Sequence, residues 1–418
     1  MITKILNFIN DSYLKEILRS NFIYTALVKI LIIFQYLIII KIAALRLSET
    51  ELGNFFIIYN SVLLFSGLLF ASQSSSLLRY FSITENKKEL YKTILIQICT
   101  PIICCLMTYM FIYISFDIDN PLLFLLSLLF SLGAGVMLVI LTQLRVSGRF
   151  KDYFLVVLIQ TLAVVIFLLS DFITINVFNI FLILMASQVI SILFFLYKVS
   201  GKLKSITKQK FSKPLSMDLL VYGLPFMLIA ASNSLISAYG QYILKYLDYE
   251  SEVGIFAINY SVGEKLIFVF FSILITYKVP EIYLEARNNI KGAIKLINST
   301  ALLFISYSLT ILLLLSFISK YISTLVSTND IAQDGHWIIL MAIISATLLG
   351  IFSLYSEVLL SLKKSGIVAF NYLLLVFIGI MLSYIMIISY GIFGAAIAPI
   401  IANLIGLIIL RFQISRHT

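Results

Sequence analysis

Charged residues are scarce in this 418-residue chain, 12% of the total against 61% hydrophobic, with a mean hydropathy of +1.06. A water-soluble domain carries roughly a quarter charged residues to cover its surface, so lipid rather than water is the solvent here. Histidine is nearly absent, His336 and His417 being the two, which excludes a histidine-based metal site or catalytic triad. The three cysteines, Cys99, Cys104 and Cys105, share one apolar segment, so they predict neither a disulfide framework nor zinc spacing and read as small apolar fillers. A Walker-type glycine loop is missing, and with it any nucleotide-driven chemistry. These absences predict no catalytic residues, no metal and no cofactor. No cleavable signal is expected either. Met1 to Ser20 is polar and amphipathic, and the apolar run behind it is long enough to remain as a span.

What the chain does have is a repeat. Glu49-x-Glu51-x-Gly53-x-Phe55-x-Ile57-x-Tyr59 returns as Glu250-x-Glu252-x-Gly254-x-Phe256-x-Ile258-x-Tyr260, close to half the chain length away. A second echo pairs Leu144-Arg145-Val146-Ser147-Gly148 with Leu362-Lys363-Lys364-Ser365-Gly366. Both point to duplication, and duplicated apolar halves suit a transporter whose two bundles rock around one site.

A membrane span needs about 20 mostly apolar residues, and twelve such stretches are expected. In the first half they are 21–45, 54–79, 91–116, 121–144, 153–170 and 174–197. In the second half they are 218–245, 254–277, 296–318, 337–361, 367–388 and 391–411. Helices are the form expected, because an open strand leaves backbone groups unpaired in lipid. The predicted fold class is therefore an all-α integral membrane protein of twelve transmembrane helices in two pseudo-symmetric six-helix bundles. The expected division is residues 1–200, a basic linker 201–217, and 218–418.

Net charge is +10, which in a soluble protein would suggest nucleic acid. Its distribution points to a membrane face instead. One set of connections is basic: Arg79, Lys87, Lys88 and Lys92; Arg145, Arg149 and Lys151; the lysines from Lys198 to Lys213; Lys278 to Lys295; Lys363 and Lys364; Arg411 and Arg416. The opposite set carries Asp117, Asp119, Asp171, Asp248, Glu250, Glu252, Asp330 and Asp334. The positive-inside rule then predicts both termini in the cytoplasm. Six spans per half give both halves the same orientation, related by an axis along the membrane normal.

Several short matches make the chain resemble the polysaccharide-transporter branch of the multidrug/oligosaccharidyl-lipid/polysaccharide exporter superfamily, in particular the O-antigen flippases. They are Leu47-Ser48-Glu49-x-Glu51-x-Gly53-x-Phe55, Tyr222-Gly223-Leu224-Pro225, Tyr242-Ile243-Leu244 leading into Glu252-Val253-Gly254-Ile255-Phe256, and Gly391-x-x-Gly394-Ala395-Ala396-x-Ala398. The resemblance implies a V-shaped pair of bundles that moves undecaprenyl-diphosphate-linked oligosaccharide to the outer leaflet of a bacterial inner membrane. It further implies membrane lipids, a polysaccharide polymerase and a chain-length regulator as partners. Members often carry Asp-Arg just before the Tyr-Ile-Leu element, where this chain has Gly240-Gln241, so any role tied to that pair does not carry over. Twelve spans also fall two short of the fourteen typical of peptidoglycan-precursor flippases.

Ionisable groups inside spans cost at least about 2.5 kcal/mol on insertion scales and normally face a cavity or a partner. Lys29 in the first span and Lys265 in the eighth, with Glu264 beside it, are the candidates to neutralise a diphosphate in a central cavity. The plainer reading of Lys265 is local pairing with Glu264. Gln35 and Asn233 are candidate cavity residues for sugar hydroxyls, together with Gln73 to Ser76, Ser234 and Ser237; interhelical hydrogen bonding is the alternative for each. Arg79 and Arg145 sit at cytoplasmic span ends, as substrate entry points or interfacial anchors. Glu264 and Glu357 are candidates for ion coupling, with Glu357 equally able to pair with Lys363 or Lys364. The Glu-x-Glu-x-Gly motif reads as structural, its glycine allowing a tight turn and its acids capping a helix. Two competing functions are weighed: a multidrug or small-cation exporter of the same superfamily, which favours intramembrane acids, and a membrane-embedded polymerase, which usually needs a sizeable outer loop.

Overall fold

The computed structural model describes residues 20–84, 86–99, 120–170, 174–207, 209, 211–326 and 329–417. Among them every regular element is a helix. The first half contributes α1 (Ser20–Arg46), α2 (Glu49–Ile83), α3 (Lys87–Cys99), α4 (Pro121–Val146), α5 (Phe150–Leu169) and α6 (Val177–Thr207). The second contributes α7 (Lys213–Tyr246), α8 (Glu250–Asn288), α9 (Ile290–Val326), α10 (Asn329–Ser361), α11 (Ser365–Tyr390) and α12 (Ile392–His417). Eleven of these are long and apolar enough to cross a membrane; this is a multi-pass membrane protein. The remaining expected span, 91–116, begins in α3 and continues outside the described residues. Of the expected linker 201–217, α6 reaches Thr207 and α7 starts at Lys213, so most of it is helical.

Local chemistry accounts for the helix ends. Ser48 and Glu51 form a reciprocal capping box at the start of α2, satisfying two N–H groups that have no partner inside the helix. Asn120 accepts from Leu122 and Leu123 at the start of α4, where Pro121 has no N–H to lose. Three hairpins close alike. The N–H of Arg149 reaches the Leu144 carbonyl, that of Tyr249 reaches Leu244, and that of Lys364 reaches Leu359. In each, the preceding residue has positive φ: Gly148, Asp248 and Lys363. The structural counterpart of Gly148 is therefore Lys363, three residues before Gly366, which lies inside α11. The Leu-x-x-Ser-Gly echo is out of register with the folded repeat.

The other repeat is in register, for a different reason from a tight turn. Gly53 and Gly254 lie inside α2 and α8 and face the opposite copy. A Cβ on Gly53 would sit 3.2 Å from the Glu250 carbonyl oxygen, and one on Gly254 would sit 3.0 Å from that of Glu49. Each motif thus packs on its own duplicate, and glycine lets the two backbones approach. Only the first copy has its helix N-terminus capped by an acid; Glu250 instead pairs with Lys245 across the hairpin at 2.5 Å.

The halves interlock at the end bearing the acidic connections. Ala257 and Ile258 of α8 join a core with Ile58 and Val62 of α2, and Ile57 joins a core of α7, α8 and α10 residues. Along their whole length α2 and α7 run side by side, with Asn60 donating to Gln241 (2.6 Å), Ser61 bonding Tyr242 (3.0 Å) and Ser76 donating to the Leu219 carbonyl (2.7 Å). The outer face is apolar. Along α11, Phe370, Phe377, Tyr384 and Ile388 are exposed on one stripe, as a lipid-facing helix requires.

Candidate functional site

Between the halves lies a cavity of about 320 Å³. Tyr36 of α1 and Asn60 and Leu63 of α2 form one wall. Asn233, Ser234 and Ser237 of α7, Ser261, Glu264, Lys265, Phe268 and Phe271 of α8, and Leu349 and Ser353 of α10 form the other. One glycine sets its geometry. A Cβ on Gly263 would lie 2.5 Å from the Ile339 carbonyl oxygen, so α8 rests directly on α10 and holds Glu264 and Lys265 on the cavity side.

Lys265 Nζ lies 2.9 Å from Glu264 Oε2 and 5.4 Å from the centre of the Tyr36 ring, which comes from the opposite half. The Ser237 hydroxyl donates to the other Glu264 oxygen. Glu264 is thus satisfied on both oxygens and only 6% exposed, whereas the Lys265 side chain is 30% exposed. An ammonium carries three N–H donors. One is spent on Glu264 and one direction faces the ring, so a donor remains for a ligand. The arrangement suits an anionic or strongly accepting group, held in a pocket with aromatic and hydroxyl sides.

The expected site residues separate into groups. Lys265, Asn233 and Glu264 line the cavity together. Gln35 does not line it; it accepts from Thr161 at 3.1 Å, bridging α1 and α5. Lys29 is half-buried and makes no hydrogen bond or ion pair among the described residues. It stands seven residues before Tyr36, hence on the same face of α1, two turns closer to the basic end. The charge of Arg145 reaches Lys29. Arg79 stacks over Tyr222 of α7 at 4.3 Å. Glu357 accepts from the Tyr283 hydroxyl at 2.7 Å rather than pairing with Lys363 or Lys364. Of the polar run in α2, Ser74 bonds Thr142 at 2.7 Å and Ser76 bonds α7 as above, both interhelical contacts. Tyr36, Asn60, Ser261, Phe268, Phe271 and Ser353 are cavity residues that sequence reading missed. Asn60, an amide inside an apolar run, carried a usable signal; the aromatics did not, being a few among 24 Tyr and 33 Phe.

No protein-family model and no curated protein sequence matches this chain. Solved structures do match, over nearly its whole length. The fold is that of the MOP-superfamily transporters. An inward-facing multidrug-resistance MATE-family transporter of that superfamily aligns with a TM-score of 0.68 at 15% identity, covering 95% of both chains. The lipid II flippase MurJ, in an inward closed conformation, aligns at 0.71 and 16% identity, over 94% of this chain and 87% of its own. A MOP-superfamily transporter from Pyrococcus furiosus, described as having a binding pocket of reversed polarity, aligns at 0.69 and 14%, over 94% of each.

Proposed function

We propose that this chain is a flippase. It carries an undecaprenyl-diphosphate-linked oligosaccharide, the repeat unit of an O-antigen or similar surface polysaccharide, from the inner to the outer leaflet of a bacterial cytoplasmic membrane. One observation carries the reading: a partly exposed ammonium, Lys265, with a donor to spare, inside a cavity walled by both halves. Ionisable residues inside spans face a cavity or pair with a partner; Lys265 does both, and a diphosphate is the anionic part of such a lipid. Lys29, on the α1 face below Tyr36, is a second phosphate contact reached earlier in the path. Arg79 and Arg145, at the basic ends of α2 and α4, receive the headgroup; Asn233 serves its hydroxyls. Both termini are cytoplasmic in this reading. Membrane potential supplies drive, since moving one negative charge outward gains about 2.3 kcal/mol per 100 mV, and Glu264 is the group to exchange a coupling proton or cation. A polymerase and a chain-length regulator act on what it delivers.

The second reading, export of small organic cations, draws support from Glu264 lying beside Tyr36, Phe268 and Phe271, rings able to hold a cation. Complementation separates the two. In a deletion strain, the wild-type chain restores surface polysaccharide and Lys265→Ala does not, at equal membrane level, while lipid-linked units accumulate on the cytoplasmic leaflet. Unchanged polysaccharide in the deletion strain, with lost resistance to cationic drugs, would replace the first reading by the second. Single unpolymerised units outside the cell would point to a polymerase.

A further inference from the structure

Three cavity-lining faces continue past the cavity toward the basic end. On α7, Asn233 lines the cavity, and Phe226 and Tyr222 follow seven and eleven residues earlier on the same stripe, about 16 Å along the axis. On α8, Tyr283 lies eighteen residues after Lys265, five full turns, so it shares that face. On α10, Leu349 and Ser353 line the cavity and Glu357 is the next position at four-residue spacing. Tyr222, Phe226, Tyr283 and Glu357 are all half-buried, neither packed away nor fully in solvent.

These side chains form one cluster. Tyr222 packs on Phe226 with ring centres 5.2 Å apart and meets Tyr80 of α2 edge-on at 6.0 Å. Arg79 covers Tyr222 from the other half. Glu357 accepts from the Tyr283 hydroxyl through Oε2, and its Oε1 has no donor among the described residues. Tyr222 lies within the electrostatic reach of Glu357 and of Tyr283.

The chemistry narrows the ligand. One guanidinium and one carboxylate balance, so a net charge on the ligand gains little. What remains for a ligand is a carboxylate oxygen able to accept hydroxyl protons, lone pairs on the Tyr283 phenolic oxygen, whose proton goes to Glu357, and aromatic surface for an apolar face. A pyranose ring, with C–H faces and a rim of hydroxyls, uses all three. We propose that Tyr222, Phe226, Tyr283 and Glu357, with Arg79, form a carbohydrate subsite that holds a glycosyl residue of the substrate, separate from the Lys265 cavity. It rests on the flippase reading. It assigns the sugar and the diphosphate to different ends of one cleft, with Glu357 a hydrogen-bond acceptor for sugar.

The test uses the purified full-length chain and two probes. One is lipid-linked oligosaccharide extracted from a strain lacking this chain, where it accumulates; the other is undecaprenyl diphosphate, which has no sugar. The wild-type chain binds the first more tightly. Glu357→Gln weakens the first by about tenfold or more, as loss of a hydrogen bond to a charged group implies. Tyr222→Leu weakens it through loss of the ring face, and both leave the second unchanged, which also shows the variants are folded. Tyr222→Phe, which keeps the ring, stays nearer to wild type. Equal affinity of the wild-type chain for the two lipids, or variants that lose both or neither, overturns the subsite and leaves the flippase reading standing. Failure of the wild-type chain to bind either lipid removes both.

Discussion

The contact between the two motif copies makes a quantitative prediction. The Cβ of Gly254→Ala would lie 3.0 Å from the Glu49 carbonyl oxygen and 3.3 Å from Leu52 Cδ2. Non-bonded heavy atoms prefer about 3.5 Å or more, so α2 and α8 must separate by roughly half an ångström. The obstructing atom belongs to backbone in the first turn of α2, and no rotamer change relieves it. Overpacking of this kind costs about 1–3 kcal/mol. If the two helices part at this end in the opposite transport state, the cost falls on the present state alone. The equilibrium then shifts toward separation by about 5- to 150-fold. Gly254→Val adds two methyl groups at the same place and shifts it further. Spin labels at Thr50 and Ser251, on a cysteine-free background, report the separation by pulsed electron resonance. Wild type gives a short, narrow distance; Gly254→Ala adds a longer population, and Gly254→Val makes it dominant. An unchanged distribution in a folded, monodisperse Gly254→Val protein would refute the reasoning, since the contact would then be present in both states or in neither.

Other consequences follow from the same geometry. Lys265→Ala should weaken binding of undecaprenyl diphosphate by about 10- to 150-fold, the worth of one charge-assisted hydrogen bond, with Lys265→Arg intermediate; calorimetry in detergent reads both. Removing Lys265 also leaves the buried Glu264 charge without its cationic partner, so Glu264→Gln/Lys265→Ala should melt above Lys265→Ala in a thermal-shift assay. Asn60→Leu breaks the bond to Gln241 at the seam, and an interhelical hydrogen bond in a membrane averages about 0.6 kcal/mol, so the variant should fold and lose only a little thermal stability. Single cysteines at Asn86 and Asp248 test orientation. In whole cells a membrane-impermeant maleimide should label Asp248→Cys and spare Asn86→Cys, and the reverse pattern would invert the topology.

The cavity shows where sequence patterns stop being informative. Lys265 and Lys29 look alike as single cations in apolar runs, yet Lys265 borders the cavity and Lys29 does not. Gln35 and Asn233 look alike as single amides, yet one bridges α1 to α5 and the other faces the cavity. On α8 and α10 apolar residues surround the helix with almost no amphipathic bias, and a helix apolar all round does not announce which face is inward. The ring of Tyr36 beneath Lys265 comes from more than 200 residues away in sequence, a contact that no local pattern predicts.

By itself the sequence determined the solvent, the helical class, the place of each described span along the chain, the alternation of basic and acidic connections, and the duplication. These are properties of runs and counts, and a run of about 20 apolar residues needs no neighbour to be a span. The helices run longer than the expected spans, as where 254–277 became Glu250–Asn288 and 296–318 became Ile290–Val326. The tertiary structure decided the rest. It put Gly53 and Gly254 against each other's motif, moved the counterpart of Gly148 to Lys363, paired Glu357 with Tyr283, and brought Tyr36 and Asn60 across to Glu264 and Lys265. Each of those outcomes depends on how a helix is rotated about its own axis, and that angle is set by the backbones packed against it, most of them from the other end of the chain.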